Sequence, residues 1–264
     1  MTLPDSCPPP QRVNILGVGV SAVDRSLALD QMECWIENQV RTYIVVCPVY
    51  TIMRAQDDAT LGRIINQAGM VTPDGMPLVF LSRRRGQKQV GRVYGPDLLL
   101  DFSELAARAG YSNYYYGGAP GVPESLADIL AKRFPGLRVA GTYSPPFRDL
   151  TSQEENDVVA RINQAAPDVV WVGLGSLKQE YWMSHFRQRL SAPVLIGVGA
   201  AFDFITGRIP QAPRWMQNAS LEWLFRLLVE PNRLWRRYLL YNPLFVWNVF
   251  LQETGLKRWP LDEG

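Results

Sequence analysis

The amino-acid sequence predicts an α/β protein: a Rossmann-like, mostly parallel sheet with helices on both faces, plus a helical C-terminal appendage. Three observations carry this reading. From Val13 to Asp203, short runs of β-branched and aromatic residues alternate with amphipathic stretches of helical length, and such alternation implies crossover connections between parallel strands. Glycine-rich turns follow four of the runs, at the strand ends where these sheets bind ligands. Past Asp203 the alternation stops.

Strands are expected at Val13–Leu16, Tyr43–Cys47, Met70–Thr72, Ser112–Tyr116, Leu137–Gly141, Asp168–Val172 and Val194–Val198. Between them Leu29, Met32, Ile36 and Val40 recur at roughly helical spacing, as do Leu61, Ile64, Ile65 and Ala68. Asp74 lies in a turn opening a helix that runs to Arg85. Gly110 sits where a C′ glycine should end a helix begun near Asp97. Thr151 and Glu154 form a capping box, opening a helix with Val158, Ile162 and Ala165 on one face. Ala212 to Val229 reads as one helix ended by Pro231, and Pro231 to Tyr241 as a second ended by Pro243. Leu244 to Thr254 reads as a third.

The 264 residues suffice for one large α/β domain with an appendage, or for two small domains, and 47% hydrophobic content supports a sizeable core. The division expected is a flexible N-terminal segment over residues 1–12, an α/β domain over 13–203 and the appendage over 204–264. Cys7, Cys34 and Cys47 are odd in number and widely spaced, with no evident pairing, which suits a reducing cytosol. The Pro-rich start lacks the order of a signal peptide, and no window holds 18 consecutive apolar residues. The chain is therefore expected to stay inside the cell. No nucleic-acid partner is expected, and homo-oligomer formation is left open.

The first glycine turn, Gly17-Val18-Gly19-Val20-Ser21-Ala22, matches the form of a dinucleotide site and raises the alternative of an NAD(P)-dependent oxidoreductase. That fingerprint also needs an acid at the end of strand two, and Val45-Val46-Cys47-Pro48-Val49 has none. The turns at Gly117-Gly118, Gly173-Leu174-Gly175 and Gly199 each allow close backbone approach to an anion. Tight turns demand glycine on their own account, but three turns converging on one sheet edge favour a nucleotide diphosphate.

Asp74, before Gly75, is either a helix cap or a general base at the ligand edge. Arg92 is either a surface ion pair or a phosphate ligand. Lys178-Gln179-Glu180 sits in a first helical turn, where polar residues are common anyway. His185, the one histidine, reads as a helix-surface residue. With scattered cysteines it builds no zinc site, and there is no D-x-D pair for a divalent metal. No metal or cofactor is expected, so a departing diphosphate needs arginines and helix N-termini.

In order, these pieces resemble the WecG/TagA/CpsF family, glycosyltransferase family 26. The resemblance runs from about Leu16 to Phe245. It rests on Pro73-Asp74-Gly75-Met76-Pro77, Arg92-Val93-Tyr94-Gly95-Pro96-Asp97-Leu98 and Gly117-Gly118-Ala119-Pro120-Gly121-Val122. It continues through Val172-Gly173-Leu174-Gly175, Lys178-Gln179-Glu180 and Gly197-Val198-Gly199-Ala200-Ala201-Phe202-Asp203-Phe204 with Gly207. It ends on Ala212-Pro213-Arg214, Glu222-Trp223-Leu224-Phe225-Arg226-Leu227, Glu230-Pro231 and Arg236-Arg237-Tyr238.

The resemblance implies an inverting transfer from a UDP-sugar to a sugar on a polyprenyl diphosphate, in bacterial cell-surface polysaccharide synthesis. N-acetylmannosamine, glucose and galactose are the candidate sugars. Asp74 falls on the catalytic acid of the family, Arg92 on its substrate-site arginine and Gln179 on its glutamine. The expected substrate-binding set is Gly117, Gly118, Gly173, Gly175, Gln179, Glu180, Gly199, Asp203, Arg214 and Arg226. Cys47-Pro48-Val49 stands where members often carry Thr-x-Asn; those side-chain hydrogen bonds are absent, which bears on donor or acceptor preference. A non-catalytic nucleotide-sugar or lipid-binding module is the alternative outside enzymes.

The appendage segregates charge and aromatics together. From Phe204 to Pro260 eight Lys or Arg face three acids, and five of the eight Trp lie there. Tyr238 to Leu251 is too short and interrupted to span a bilayer, yet very aromatic. With Arg233, Arg236 and Arg237 before it and Lys257 and Arg258 after, it suits an anchor on the anionic inner face of the cell membrane. The same aromatics could instead pack on the core or at a subunit interface. Arg214 and Arg226 are expected to fold over the UDP site.

Overall fold

A computed structural model describes residues 7–261. The chain begins β1 (Arg12–Ile15), β2 (Val18–Ser21), α1 (Arg25–Glu37), β3 (Thr42–Cys47), α2 (Val49–Asp57), α3 (Ala59–Asn66) and β4 (Met70–Pro73). It continues α4 (Met76–Arg84), α5 (Gly95–Ala109), β5 (Ser112–Gly117), α6 (Val122–Arg133), β6 (Arg138–Tyr143) and α7 (Ser152–Ala165). Next come β7 (Val169–Gly173), α8 (Lys178–Phe186), β8 (Val194–Gly197) and α9 (Ala201–Ile205). The last part holds α10 (Arg214–Asn218), α11 (Glu222–Val229), α12 (Pro231–Trp235), a π-helical segment (Arg236–Leu240) and α13 (Tyr241–Glu253).

Six strands form one parallel sheet in the order β4-β3-β8-β7-β5-β6. Side chains alternate between its faces, as a period of two requires. Tyr114 and Tyr116 join the core beneath α2, α3, α7 and α8, while Tyr115 joins the core beneath α1, α5 and α6. Burial on both faces explains the near-continuous apolar strands. Phe102 and Phe202 are fully buried, and side chains of that size stabilise by roughly 2–3 kcal/mol each. The polar intruders are paired: Trp171 Nε1 donates to Asn113 Oδ1 at 2.9 Å, and Ser112 donates to Asp168 Oδ2 through its amide (2.7 Å) and hydroxyl (2.8 Å).

Helix ends follow local chemistry. The Thr151–Glu154 capping box opens α7. Gly110, at φ 82°, closes α5 through its amide to the Ala106 carbonyl at 2.8 Å.

Four expectations need correction. The run at Val13–Leu16 does not enter the main sheet. It is half of an antiparallel hairpin, β1 on β2, with Gly17 in its turn and Gly19 opposite Asn14. The G-x-G pair is therefore hairpin, followed directly by strand β2 rather than by a helix N-terminus that could receive a phosphate, and the dinucleotide reading loses its basis.

The stretch from Ala212 to Val229 is two helices, α10 and α11, interrupted where Ser220 takes φ 61°. Pro243 ends no helix. It lies in the first turn of α13, directly after the π segment. The first turn tolerates a missing amide, and the wider π turn absorbs the irregularity before it.

Finally, Cys7 and Cys34 form a disulfide with Cα atoms 6.0 Å apart, where the sequence offered no pairing. The residues before β1 fold back along α1, burying Cys7. Residues 7–12, read as flexible, are thus fastened at both ends, by this bond and by β1. Residues 1–6 and 262–264 of the expected terminal segments lie outside the described residues.

Candidate active site

Every strand of the parallel sheet points its carboxyl end toward one cleft of about 1640 Å³. Asp74 follows β4 directly. Its amide donates to the Cys47 carbonyl at 3.2 Å, extending the β3–β4 ladder by one residue. It does not cap α4: Gly75 occupies that position, with no side-chain cap bond. The carboxylate lines the cleft, yet its Oδ1 is buried without a hydrogen-bond partner. Burial pushes the Asp74 carboxyl up to about 7; Arg92, Arg237 and Arg226 pull it down, and Glu222 pushes it further up. An acid at that value can accept a proton near neutral pH.

Arg92 stands behind Asp74 and does not line the cleft. Its Nε donates to the Asp74 carbonyl at 3.0 Å, its Nη2 engages Glu222 Oε2, and its guanidinium covers the Tyr94 ring at 4.2 Å. Arg214 also lies elsewhere. It pairs with Asp97 through two 3.0 Å contacts, and both arginines line a separate cavity of about 250 Å³.

Arg226, by contrast, reaches the cleft over the Phe204 ring at 5.3 Å. Asp203 lines the cleft as well, 3.6 Å from Arg208.

The glycine turns share this edge. Gly118, Gly173, Gly175 and Gly199 line the cleft, whereas Gly117 lies just beneath. A Cβ on Gly117 would stand 2.7 Å from the Gly173 backbone, so only glycine lets β5 and β7 close there. Two of the expected anion donors are already engaged. The Gly118 amide donates to the Gly173 carbonyl at 2.9 Å, and the Gly199 amide to Gln179 Oε1 at 2.8 Å.

Gln179 therefore staples the end of β8 to the start of α8. Its Nε2 donates to Glu180 Oε1 at 3.3 Å. Glu180 does not line the cleft; it is fully buried, its Oε2 has no partner, and burial lifts its carboxyl to about 7. Cys47 lies buried near both acids, its thiol pushed up by burial and by Glu180 and Asp74.

Cations remain to neutralise a leaving diphosphate. Lys178, Arg54, Arg208, Arg226, Arg233, Arg236 and Arg237 all line the cleft. Arg237 lies over the Tyr50 ring at 4.6 Å with its Nε buried and unpartnered. Sequence reasoning placed Arg237 in the resemblance and in the anchor but not in the substrate-binding set, and it missed Tyr50 and Arg54, because α2 carries no motif. It also missed Phe147, 84% exposed on the loop after β6 at the rim. His185 sits on the helix surface, 3.1 Å from Glu155. Among the described residues no group of His, Cys, Asp or Glu could hold a metal ion, and no helix is long and apolar enough to cross a membrane.

The sequence model of the glycosyl transferase WecG/TagA/CpsF family matches residues 13–259. The chain is 27% identical over 221 residues to an N-acetylglucosaminyldiphosphoundecaprenol N-acetyl-beta-D-mannosaminyltransferase of Bacillus spizizenii, covering 84% of this chain and 83% of that one. It is 28% identical over 194 residues to the protein of the same description from Bacillus subtilis, covering 74% and 73%.

Proposed function

We propose a reaction on the premise that the chain belongs to the WecG/TagA/CpsF family of glycosyl transferases: an inverting sugar transfer from a UDP-sugar to a sugar on a polyprenyl diphosphate. The names of the Bacillus relatives favour N-acetylmannosamine as the sugar and an N-acetylglucosaminyl diphosphate lipid as the acceptor. One observation carries the reading. A buried carboxylate with an unpartnered oxygen stands in a cleft otherwise rich in arginine.

In the step proposed, the acceptor hydroxyl oxygen attacks the anomeric carbon as its proton passes to the Asp74 carboxylate. The bond from that carbon to the diphosphate oxygen breaks on the opposite face, and UDP departs with the electron pair. Arg226 and Arg237, beside Asp74, offset the developing negative charge. Arg92 acts from behind by fixing the Asp74 backbone. The cleft belongs to the 13–203 unit, and the described part of the 204–264 appendage supplies its cationic wall and a membrane-facing surface.

The test is UDP release from a panel of UDP-linked N-acetylmannosamine, glucose and galactose, with and without an N-acetylglucosaminyl diphosphate lipid. Acceptor-dependent release with one donor supports the reaction. Donor binding without release under any condition supports a non-catalytic module instead.

A further inference from the structure

The β1–β2 hairpin lies outside the main sheet and away from the cleft, yet it gathers the end of the chain. Asn14 Nδ2 donates to the Trp259 carbonyl at 2.7 Å, and the Leu16 amide to Gln252 Oε1 at 3.2 Å. Arg85, just past α4, joins both partners. Its Nε donates to Glu253 Oε1 (2.9 Å), its Nη2 to Gln252 Oε1 (2.9 Å) and its Nη1 to the Asn14 carbonyl.

The hairpin is itself braced from the body of the protein. Asn66 brackets the turn, donating to the Gly17 carbonyl (2.9 Å) and accepting from the Gly19 amide (3.0 Å). Gln56 donates to the Leu16 carbonyl at 2.6 Å. The two glycines are the seat of the tail: a Cβ on Gly17 would lie 3.3 Å from the Pro260 carbonyl oxygen, and one on Gly19 3.5 Å from the Leu261 side chain.

This seat matters because the appendage is thinly packed. Helix α11 and the π segment bury no residue, and α13 buries only Phe245. Beyond Phe245, Leu234 of α12 is buried and Tyr241, Val249 and Trp259 pack partly on the core; with burial this sparse, discrete contacts fix much of the placement. At the near end these are Arg92 with Glu222, and Tyr50 with Tyr241 edge-on at 5.3 Å and with Arg237 above it. At the far end they are Arg85 and the hairpin.

We propose that Arg85 and the β1–β2 hairpin form a latch that fixes α13 and thereby holds Arg237, in the segment directly before it, in the cleft beside Asp74. Arg85 is then a positioning residue for the transfer, remote from the reacting atoms. The inference rests on the reading of Asp74 as the base.

The test uses the full chain and the charges around Asp74. Those facing it are Arg92, Arg226, Arg237, Glu222, Tyr94, Cys47 and, through Cys47, Glu180. Glu222 and Arg226 share α11, which Arg92 holds through Glu222; Arg237, in the segment directly before α13, is the cation that depends on the latch, and it favours the ionised form. Arg84 Nε also lies 3.7 Å from Glu253, so the main variant is Arg84→Ala with Arg85→Ala; Glu253→Gln breaks the same latch from the other side.

Loosening should raise the acid limb of the pH profile for UDP release from UDP-N-acetylmannosamine by about half a pH unit or more. It should lower kcat/KM at pH 7 roughly tenfold and speed trypsin cutting after Arg233, Arg236 and Arg237. Arg85→Lys should restore part of each. A wild-type limb and wild-type cutting rates in both variants would overturn the latch. Full activity in Asp74→Asn would instead sink the base assignment, and the cutting rates would still report on the latch.

Discussion

The Nε of Arg92 donates to the backbone carbonyl of Asp74 at 3.0 Å, while its Nη2 engages Glu222 in the C-terminal segment. One guanidinium thus ties the loop carrying the proposed base to the helix that closes over it. An ion pair at that depth orients by geometry as much as by charge. Arg92 is best described as the brace of Asp74, and substrate phosphate is left to the arginines facing the cleft.

From the raised Asp74 value, kcat/KM should climb with pH through about 7, because the base must be ionised to accept a proton. Glu222→Gln removes a negative neighbour and should move that limb to lower pH. Arg92→Ala removes a positive one and should move it up. Asp74→Asn should cut turnover by about 10²–10⁴-fold while binding UDP and folding normally. A wild-type limb near pH 4 would sink the assignment.

Glu180 makes a separate prediction about stability. Its carboxyl is raised by burial from 4.5 to about 7, so the folded state holds the proton more tightly than the unfolded chain. The stability this contributes is complete below about 4.5 and is lost as pH rises through about 7. Glu180→Gln keeps the shape and cannot ionise. At pH 8 it should melt several degrees higher, reflecting a gain of roughly 3 kcal/mol, and at pH 4 it should melt as wild type. Equal shifts at both values would show that ionisation is not the cause.

Much of this architecture was legible because strand and helix periods differ, and β3 to β8 keep theirs: six expected strands fall within a residue or two of those observed. The hairpin was not legible, since Val13–Leu16 looks like any buried strand when its partner lies two residues away. The break at Ser220 and the π segment arise from tertiary placement that local propensity does not encode. At the site, Asp74 and the Gly118, Gly173 and Gly199 turns were readable because parallel strands bring their ends together. That Arg92 and Arg214 point away from the cleft was not, because motif order carries no side-chain direction.

The Cys7–Cys34 bond closes a loop with a sequence separation of 27, which in the chain-entropy picture stabilises by about 3–4 kcal/mol. Cys34→Ser, or dithiothreitol on the native protein, should lower the melting temperature by several degrees. UDP release per folded molecule should be unchanged, since α1 contributes nothing to the cleft. Labelling of two extra thiols in the untreated, unfolded protein would show that the bond does not form.

The cleft carries its own cations, and the sequence has no D-x-D pair. UDP release should therefore persist in excess chelator. Conversely, Arg237→Ala should reduce it by about 10²-fold, the scale seen when one preorganised donor to a developing charge is removed. Complete loss in chelator, restored by Mg²⁺ or Mn²⁺, would mean that a metal holds the leaving group.

The outer face of the appendage makes the last prediction. Val246 is 66% exposed and Trp247 57% exposed, with Leu239, Leu240, Leu244 and Phe250 around them. Arg233 and Arg236 are exposed nearby. The aromatics were open to packing on the core, but of α13 only Phe245 is buried, with Tyr241 and Val249 partly buried against the core and the outer face left bare. Apolar side chains beside cations suit a headgroup interface, where each Lys or Arg contributes about 1 kcal/mol on an anionic surface. The full-length protein should co-sediment with vesicles containing phosphatidylglycerol, more weakly in high salt, and little with neutral phosphatidylcholine. Val246→Glu with Trp247→Glu should abolish that binding while leaving the cleft intact. Undiminished binding by this variant, or none by the wild type, would leave those side chains to a contact between protein copies, which sedimentation at several concentrations would reveal.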